Sequence, residues 1–174
     1  MSTPTRTPSQ VTHEVLNQPP PLEGHNAFDA DPALVEVESE LPAGGPKPPA
    51  HCHPRQEEHF EVLAGRVDVR LGKERRVLAP GDTLDIPPGV VHEMSAAGDE
   101  PARLLWQTRP ALRSEQFFET AWGLGAPGPL TGAALIHRFS DEIRLPLPWP
   151  VQRPLLAAVA GVARLTGRGL DAKE

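Results

Sequence analysis

Short alternating runs, broken by glycine and proline, fill the middle of this chain and most constrain its fold. Between residues 33 and 108 apolar and polar side chains tend to alternate with a period of two, as they do in residues 67–71. This period is typical of β-strands that have one buried and one solvated face. Because strands this short must share one core, the pattern predicts a single antiparallel β-barrel or double-sheet jelly roll, which can enclose a ligand.

The two flanking segments differ from this middle part and divide the chain into three. Residues 1–27 are rich in Pro, Thr, Ser and Gln, so we expect a disordered or loosely attached N-terminal arm. The β-barrel is expected over residues 28–108. Residues 109–174 change toward a helical period and predict an α-helical extension that packs on the barrel or at a dimer interface.

Three helices are expected in this C-terminal extension. Ser114 is a predicted cap for the first helix, which should end near Gly123 and Gly125, and Pro129 is a predicted start for the second. The third is predicted over residues 151–166, after a proline-rich connector at 145–150.

The third predicted helix is unusually apolar. Its longest apolar stretch covers ten residues, which is too short to span a bilayer. Arg153, Arg164 and Arg168 flank this stretch, so docking at a membrane surface stays open. We favour packing on the barrel or on a second subunit, which makes a homodimer the expected oligomeric state.

Charge and cysteine content narrow the class of protein. The chain has 17 Lys and Arg against 23 Asp and Glu, so its formal net charge is −6, and the basic residues do not cluster. Nucleic acid is therefore not an expected partner. The single cysteine, Cys52, rules out an internal disulfide, and we find neither a secretory signal nor a membrane-spanning run. These features predict a soluble, cytoplasmic protein.

Four residues carry the chemistry that the sequence can reveal: His51, His53, Glu58 and His92. On a strand, the two histidines that lie two residues apart leave from the same face, and Cys52 between them points the other way. Three imidazoles and one carboxylate suit a divalent first-row transition metal better than they suit a zinc–thiolate cage or a calcium site. We therefore predict one mononuclear metal centre.

A single histidine is more often an ordinary surface or core residue, and only the surrounding pattern favours ligation. Glycines and prolines recur at fixed offsets from the four predicted ligands. The first run has the form Gly45, five residues, His51-Cys52-His53, four residues, Glu58, six residues, Gly65. The second has the form Gly81, five residues, Pro87-Pro88-Gly89, two residues, His92.

Both runs resemble the two signature motifs of the cupin superfamily, here carried by one small barrel. The resemblance implies a jelly-roll fold in which the ligands meet inside the barrel, and the chain retains every ligand position of the two motifs. It departs from them at Ala96, where an asparagine usually closes the second motif, and this puts local packing in doubt more than metal binding. One divalent metal per chain is implied, and Fe, Mn, Ni, Co or Zn would suit these ligands.

Three functions remain open from the sequence. The first is a dioxygenase-like enzyme that oxidises a small organic substrate in the barrel. The second is a non-redox, metal-dependent isomerase, cyclase or decarboxylase, and the third is a cupin that binds a small ligand without turnover. The chain has no tyrosine, and His59 should face away from the site. A proton carrier would therefore be Glu58 itself, a metal-bound water or a residue that the sequence does not place, and Glu58 is the catalytic residue that we name.

Overall fold

The computed structural model describes residues 34–45, 47–124 and 127–170. The expected N-terminal arm lies outside these residues. In the described part, seven strands precede three helices. The strands are β1 (Val35–Leu41), β2 (Glu57–Ala64), β3 (Val67–Leu71), β4 (Glu74–Leu78), β5 (Thr83–Ile86), β6 (His92–Ala96) and β7 (Ala102–Arg109). The helices are α1 (Ser114–Leu124), α2 (Pro129–Arg138) and α3 (Trp149–Leu165).

The strands form two antiparallel sheets, as the alternating pattern predicts. One sheet has the order β1-β7-β2-β5 and the other has the order β4-β3-β6. Their inward-facing side chains form one core, in which Val67 and Val69 are completely buried and face residues of the larger sheet such as Phe60 and Leu104. The fold is therefore a two-sheet jelly roll, and the prediction of a mainly β fold is confirmed.

Gly65 shows why the first motif must end in glycine. Its φ of +71° lies in the left-handed region, and a Cβ at this position would lie only 2.3 Å from the backbone oxygen of Pro101. Glycine alone avoids both costs, and it allows the chain to turn from β2 into β3. The turn connects the larger sheet to the smaller one.

The three helices follow the jelly roll and match the predicted ones closely. Helix α1 packs Phe118 against Val35 and Val37 of β1, whereas α2 and α3 pack on each other through Ala134, Ala160 and Ala163. Helix α3 begins at Trp149, inside the predicted connector, because Pro150 fits the first turn of a helix. No helix in the described ranges is both long and apolar enough to cross a membrane.

Candidate metal centre

The four predicted ligands come from three places in the jelly roll. His51 and His53 precede β2, Glu58 is the second residue of that strand, and His92 begins β6. Two backbone hydrogen bonds pair the ligand segments: His51 N donates to the oxygen of His92 over 3.0 Å, and His92 N donates to the oxygen of His51 over 2.8 Å. The backbone itself therefore brings the two motifs together.

The segment around His51 and His53 is not the regular strand that the sequence led us to expect. It forms isolated bridges, with His51 paired to His92 and Cys52 paired to Arg144. Prolines at 49 and 54 flank it, and proline cannot donate to a strand ladder, so a longer strand cannot form here.

The three histidine rings converge all the same. Their ring centroids lie 4.4 Å apart for His51 and His92, 5.1 Å for His51 and His53, and 5.4 Å for His53 and His92. One ligand atom from each ring can be chosen so that all three lie within 4.8 Å of one another. Three histidines could thus hold one metal ion.

Glu58 contacts two of these three histidines. Its Oε1 lies 3.2 Å from His53 Nε2, and its Oε2 lies 3.0 Å from His92 Nε2. The Glu58 side chain is 1% exposed and that of His92 is equally buried, so water does not solvate this contact freely. The carboxylate stands beside the histidine group rather than at its centre.

Backbone carbonyls orient all three imidazoles. The Nδ1 atom of His51 lies 2.8 Å from the oxygen of Pro49, that of His53 lies 2.7 Å from the oxygen of Glu142, and that of His92 lies 3.1 Å from the oxygen of Val90. Because a carbonyl oxygen can only accept, each Nδ1 carries the hydrogen and donates it. In a neutral ring, the lone pair is then on Nε2, the atom available to a metal.

This arrangement leaves buried polar atoms without hydrogen-bond partners. His53 Nε2 and both carboxylate oxygens of Glu58 are buried and lack such a partner, although they lie close to one another. Acceptors facing acceptors repel, and a buried unsatisfied polar atom is costly. One cation placed among them would satisfy them together, so the donor set fits a metal ion by its own chemistry.

The pKa values in the site follow from burial and from the neighbouring charges. Burial lowers the pKa of His51 to about 4, helped by His92 and His53, and burial also lowers the pKa of His53. Burial alone would raise the pKa of Glu58, but the nearby histidines outweigh it and lower that pKa. Burial opposes a charge on His92 too, yet Glu58 raises its pKa. Burial thus disfavours a proton on His51 and His53, whereas Glu58 favours one on His92.

The loop between α2 and α3 supports His53 from outside the jelly roll. The Glu142 carbonyl accepts from His53, and the Glu142 carboxylate is buried and accepts from Arg113 Nε over 3.0 Å and from Arg113 Nη2 over 3.0 Å. We call this arrangement of Arg113, Glu142 and His53 the loop clamp. Sequence reasoning missed it because 89 residues separate His53 from Glu142, and no local pattern marks such a contact.

Cys52 takes no part in the histidine group. Its backbone exchanges two hydrogen bonds of 2.9 Å with Arg144, and burial raises the pKa of its half-buried thiol. A raised pKa disfavours the thiolate that a nucleophile or a metal ligand requires. These contacts fit the packing role that alternation predicts.

A cavity of about 90 Å³ opens beside the ligands. Its lining includes His51, Glu58 and His92, together with Trp106 of β7. The sequence left open whether Trp106 or Gln107 points inward. Gln107 donates to Glu36 and accepts from Arg109, so it belongs to the outer face, whereas Trp106 stacks on Phe60 in the core with ring centroids 5.7 Å apart.

The remaining histidines lie elsewhere. His59 faces away from the cavity, as predicted, and its Nδ1 lies 2.6 Å from Asp85 Oδ1. His137 is on α2 and lines a separate pocket between the helices. His13 and His25 lie outside the described residues.

Comparison with known proteins identifies the jelly roll. The family model for the cupin domain matches residues 37–108, which include all four predicted ligands. This part of the chain is a cupin domain. Its expected fold is therefore confirmed, and the superfamily resemblance drawn from the two motifs holds.

Curated proteins resemble part of the chain. The chain is 36% identical over 102 residues to an oxidoreductase of Arthrobotrys oligospora, a match that covers 54% of this chain and 40% of that protein. It is 38% identical over 92 residues to germin-like protein 5-1 of Oryza sativa subsp. japonica, a match that covers 48% of this chain and 37% of that protein. The chain therefore spans about two-fifths of the length of these two relatives.

Solved structures also resemble the domain. A cupin protein from Bacteroides fragilis is 31% identical, with a TM-score of 0.42, and the match covers 44% of this chain and 65% of that one.

Proposed function

We propose that this cupin domain holds one divalent transition metal through His51, His53, Glu58 and His92. One observation carries the proposal: backbone carbonyls fix three converging imidazoles, and the Nε2 atoms of His53 and His92 lie 3.2 and 3.0 Å from the buried Glu58 carboxylate, whose oxygens have no hydrogen-bond partner. Imidazole and carboxylate ligands suit Fe, Mn, Ni, Co or Zn alike, so the ion that binds should depend on which metal is available during expression.

We further propose that the domain is an oxidoreductase, dioxygenase-like in its chemistry, that acts on a small organic molecule. Similarity to an oxidoreductase of A. oligospora supports the redox class. A bound redox-active metal would supply Lewis acidity and a means of one-electron transfer. The chain's own residues would hold the ion and shape the cavity beside it.

The cavity restricts the size of the substrate. At about 90 Å³ it is smaller than the pockets of roughly 300 Å³ or more that drug-sized ligands occupy. A small organic substrate fits this space. Apolar walls from Phe60, Met94 and Leu104 favour a compact carbon skeleton with one polar end toward the histidines.

Trp106 is the additional residue that we assign to substrate positioning. Its Nε1 is buried without a hydrogen-bond partner, and the residue lines the cavity. An unpaired buried N–H is rare in folded proteins because it is costly. An oxygen of the substrate would satisfy it, which explains why an indole rather than a phenyl ring stands here.

Glu58 is the residue that could also carry a proton. Its carboxylate lines the cavity, its pKa is lowered, and neither tyrosine nor His59 competes for this role. In the charged form it can accept a proton from a bound substrate. A non-redox isomerase, cyclase or decarboxylase would use the same residue, so oxygen dependence separates the two reaction classes.

Elemental analysis of protein purified without metal supplementation, paired with dioxygen uptake on a panel of small enols, phenols and carbonyl compounds, tests the proposal. We expect about one transition-metal ion per chain and uptake with at least one compound. Turnover that persists without dioxygen or with zinc substituted would contradict the redox class while retaining the metal. Protein without bound metal that also fails to take up added Fe, Mn, Ni, Co or Zn would refute the site itself.

A further inference from the structure

A pocket of about 390 Å³ opens between α2 and α3, apart from the predicted metal centre. It shares no lining residue with the cavity beside the histidines. Its polar lining consists of His137 and Arg138 on α2 and Arg164 on α3, and small or apolar residues line the rest. Pockets that bind small organic molecules begin at roughly 300 Å³, so this one has room for such a ligand.

Three features hold the walls of this pocket in place. Alanine side chains, two of which line the pocket, pack α2 on α3. Thr131 Oγ1 on α2 donates to the oxygen of Arg168 over 3.0 Å, so the turn after α3 is tied to α2. Gly169 in that turn lies close to α3, since a Cβ there would be only 3.2 Å from Arg164 Cγ. The two helices and the turn therefore enclose the pocket on three sides.

Helical geometry directs the cationic side chains toward the pocket. His137 and Arg138 follow the lining residue Ala134 by three and four positions on α2. Arg164 likewise follows the lining residue Ala160 by four positions on α3. Residues with these spacings are neighbours on one face of a helix. Each cationic side chain is thus adjacent to an alanine at the contact between the two helices.

The Arg138 side chain lies against a buried aromatic ring. Its guanidinium carbon is 5.5 Å from the ring centroid of Phe139, which is fully buried. The backbone oxygen of Arg138 also accepts from Arg113 Nη2 over 2.9 Å. A guanidinium that is already held in this way loses less conformational freedom when it binds a ligand.

The charge around this pocket is the reverse of that of the whole protein. Residues 129–170 contain five arginines and only two acidic residues, whereas the whole chain has a formal net charge of −6. The two acidic residues are Asp141 and Glu142, and they pair with Arg55 and Arg113. Among the described residues, neither of the arginines in the pocket has a carboxylate partner. The pocket is therefore a cationic site in an acidic protein.

The helix dipole explains only part of this arrangement. Basic residues in the last turn of a helix are common because they complement the dipole, and Arg138 and Arg164 both occupy such positions. That effect acts on each helix separately, so it does not require the two arginines to line the same pocket. One bound anion would interact with both.

We propose that this pocket binds a small phosphate monoester, with its phosphate between Arg138 and Arg164 and its organic part against the alanines and Leu170. A phosphate monoester has a charge of about −1.5 to −2 at neutral pH, which matches two guanidinium groups better than the single charge of a carboxylate does. Arginine also presents a planar set of donors that suits phosphate oxygens. His137 adds a ring N–H donor, which an imidazole has in either charge state.

Isothermal titration calorimetry of the full chain with phenyl phosphate tests the proposal. We expect saturable binding at a single site per chain. Inorganic phosphate should bind roughly tenfold more weakly, because it has no apolar part to contact Leu170 and the alanines. Benzoate should also bind roughly tenfold more weakly, because it retains the ring but has only one charge.

Two double variants with equal changes in net charge locate the site. Arg138→Gln with Arg164→Gln should reduce the affinity for phenyl phosphate by roughly tenfold or more. Arg66→Gln with Arg153→Gln is the matched control, since both residues are exposed and lie outside the pocket. Arg153 is on α3 itself, roughly 16 Å along the helix axis from Arg164. This control should bind phenyl phosphate like the parent.

A single variant separates loss of binding from loss of structure. Arg164→Gln leaves the contact between Arg138 and Phe139 intact, and it should still weaken the binding of phenyl phosphate by roughly fivefold. Circular dichroism should show all three variants to be folded like the parent.

Four outcomes would overturn the proposal. The first is the absence of saturable binding of phenyl phosphate. The second is parent-like affinity in the pocket variants, which would mean that the anion binds elsewhere, for instance at the metal centre. The third is an equal loss in the control variant, which would mean that net charge alone attracts the anion. The fourth is a benzoate or inorganic phosphate affinity equal to that of phenyl phosphate, which would contradict the assignment to a phosphate monoester.

Discussion

Valine residues in the jelly roll and in α3 have opposite environments. Val67 and Val69 of β3 are fully buried in a core shared by both sheets, whereas Val151 and Val162 of α3 are 56% and 48% exposed. The jelly roll buries its apolar groups in one core and leaves buried polar atoms of His53 and Glu58 without hydrogen-bond partners. Helix α3 instead leaves large apolar side chains exposed. The two regions therefore differ in the kind of group that folding leaves unsatisfied.

The largest expected effect is on metal binding by the predicted ligands of the jelly roll. We expect His53→Ala or His92→Ala to reduce metal affinity by more than about 100-fold, since the loss of residues that merely support a ligand already costs 10- to 100-fold. Titration with a transition metal, monitored by calorimetry or by elemental analysis after dialysis, measures the change.

His59→Ala is the matched control for these two variants. Its imidazole faces Asp85 on the outside of the sheet, so this variant should retain metal. Unchanged metal content in both ligand variants would disprove the ligand assignment. A loss in His59→Ala equal to theirs would show that any histidine substitution disturbs the fold.

Gly65→Ala tests how strictly the jelly roll fixes its backbone at the turn between β2 and β3. Alanine would have to keep the positive φ of this position, and its Cβ would have to displace the Pro101 carbonyl. The free energy of unfolding should therefore fall by about 3 kcal/mol or more. Gly72 is the matched control, because its φ of +56° is similar but nothing lies within 4 Å of the added methyl group. Gly72→Ala should cost only about 1–2 kcal/mol in urea unfolding. An equal loss of stability in the two variants would show that the positive φ alone requires glycine at position 65, and that the close contact with Pro101 does not matter.

The loop clamp joins the two regions, and its loss should have an intermediate effect. Arg113→Ala leaves the buried Glu142 carboxylate without its guanidinium partner, which should destabilise the protein by about 1–3 kcal/mol because Arg113 itself is 44% exposed. The loop carbonyl then holds His53 less firmly, so metal affinity should fall by about tenfold.

Arg55→Ala controls for a general effect on this loop. Arg55 pairs with Asp141, next to Glu142, over 3.9 Å, but both side chains are more than half exposed. Its removal should cost less than about 1 kcal/mol and should leave metal affinity unchanged. If both arginine variants bind metal like the parent, the extension does not support the site.

The smallest effect is expected on the exposed face of α3. Val162→Ala should change the free energy of unfolding by less than about 0.5 kcal/mol, since the side chain already contacts solvent. The same truncation at Val69, which is fully buried, should cost about 2 kcal/mol. A large cost at Val162 in urea unfolding would mean that this face is covered in solution.

Much of the fold could be predicted because its signals are local. Alternation marks the strands, and the spacing of Gly45, Gly65, Gly81 and Gly89 around the ligands marks the cupin motifs. The three helices could be predicted from a change of period and from prolines such as Pro129. These features depend on neighbours within a few residues, so one sequence contains them.

The rest depends on contacts between distant residues. Nothing near Glu142 indicates that its carbonyl accepts from His53, and alternation alone did not decide between Trp106 and Gln107. The bridge at Cys52 requires Arg144, which belongs to the extension. In α3, an apolar residue that packs and one that faces solvent look the same in the sequence, so only the structure separates the two faces of that helix.

The loop clamp also has a consequence for how the protein is made. The ribosome synthesises His51, His53, Glu58 and His92 well before Glu142, which follows His53 by 89 residues. At about 5–20 residues per second, this interval lasts on the order of 4–18 s. During that time the nascent chain carries its predicted ligands without the carbonyl that orients His53. Tight capture of the ion should therefore wait until the C-terminal extension has been translated and has folded onto the jelly roll.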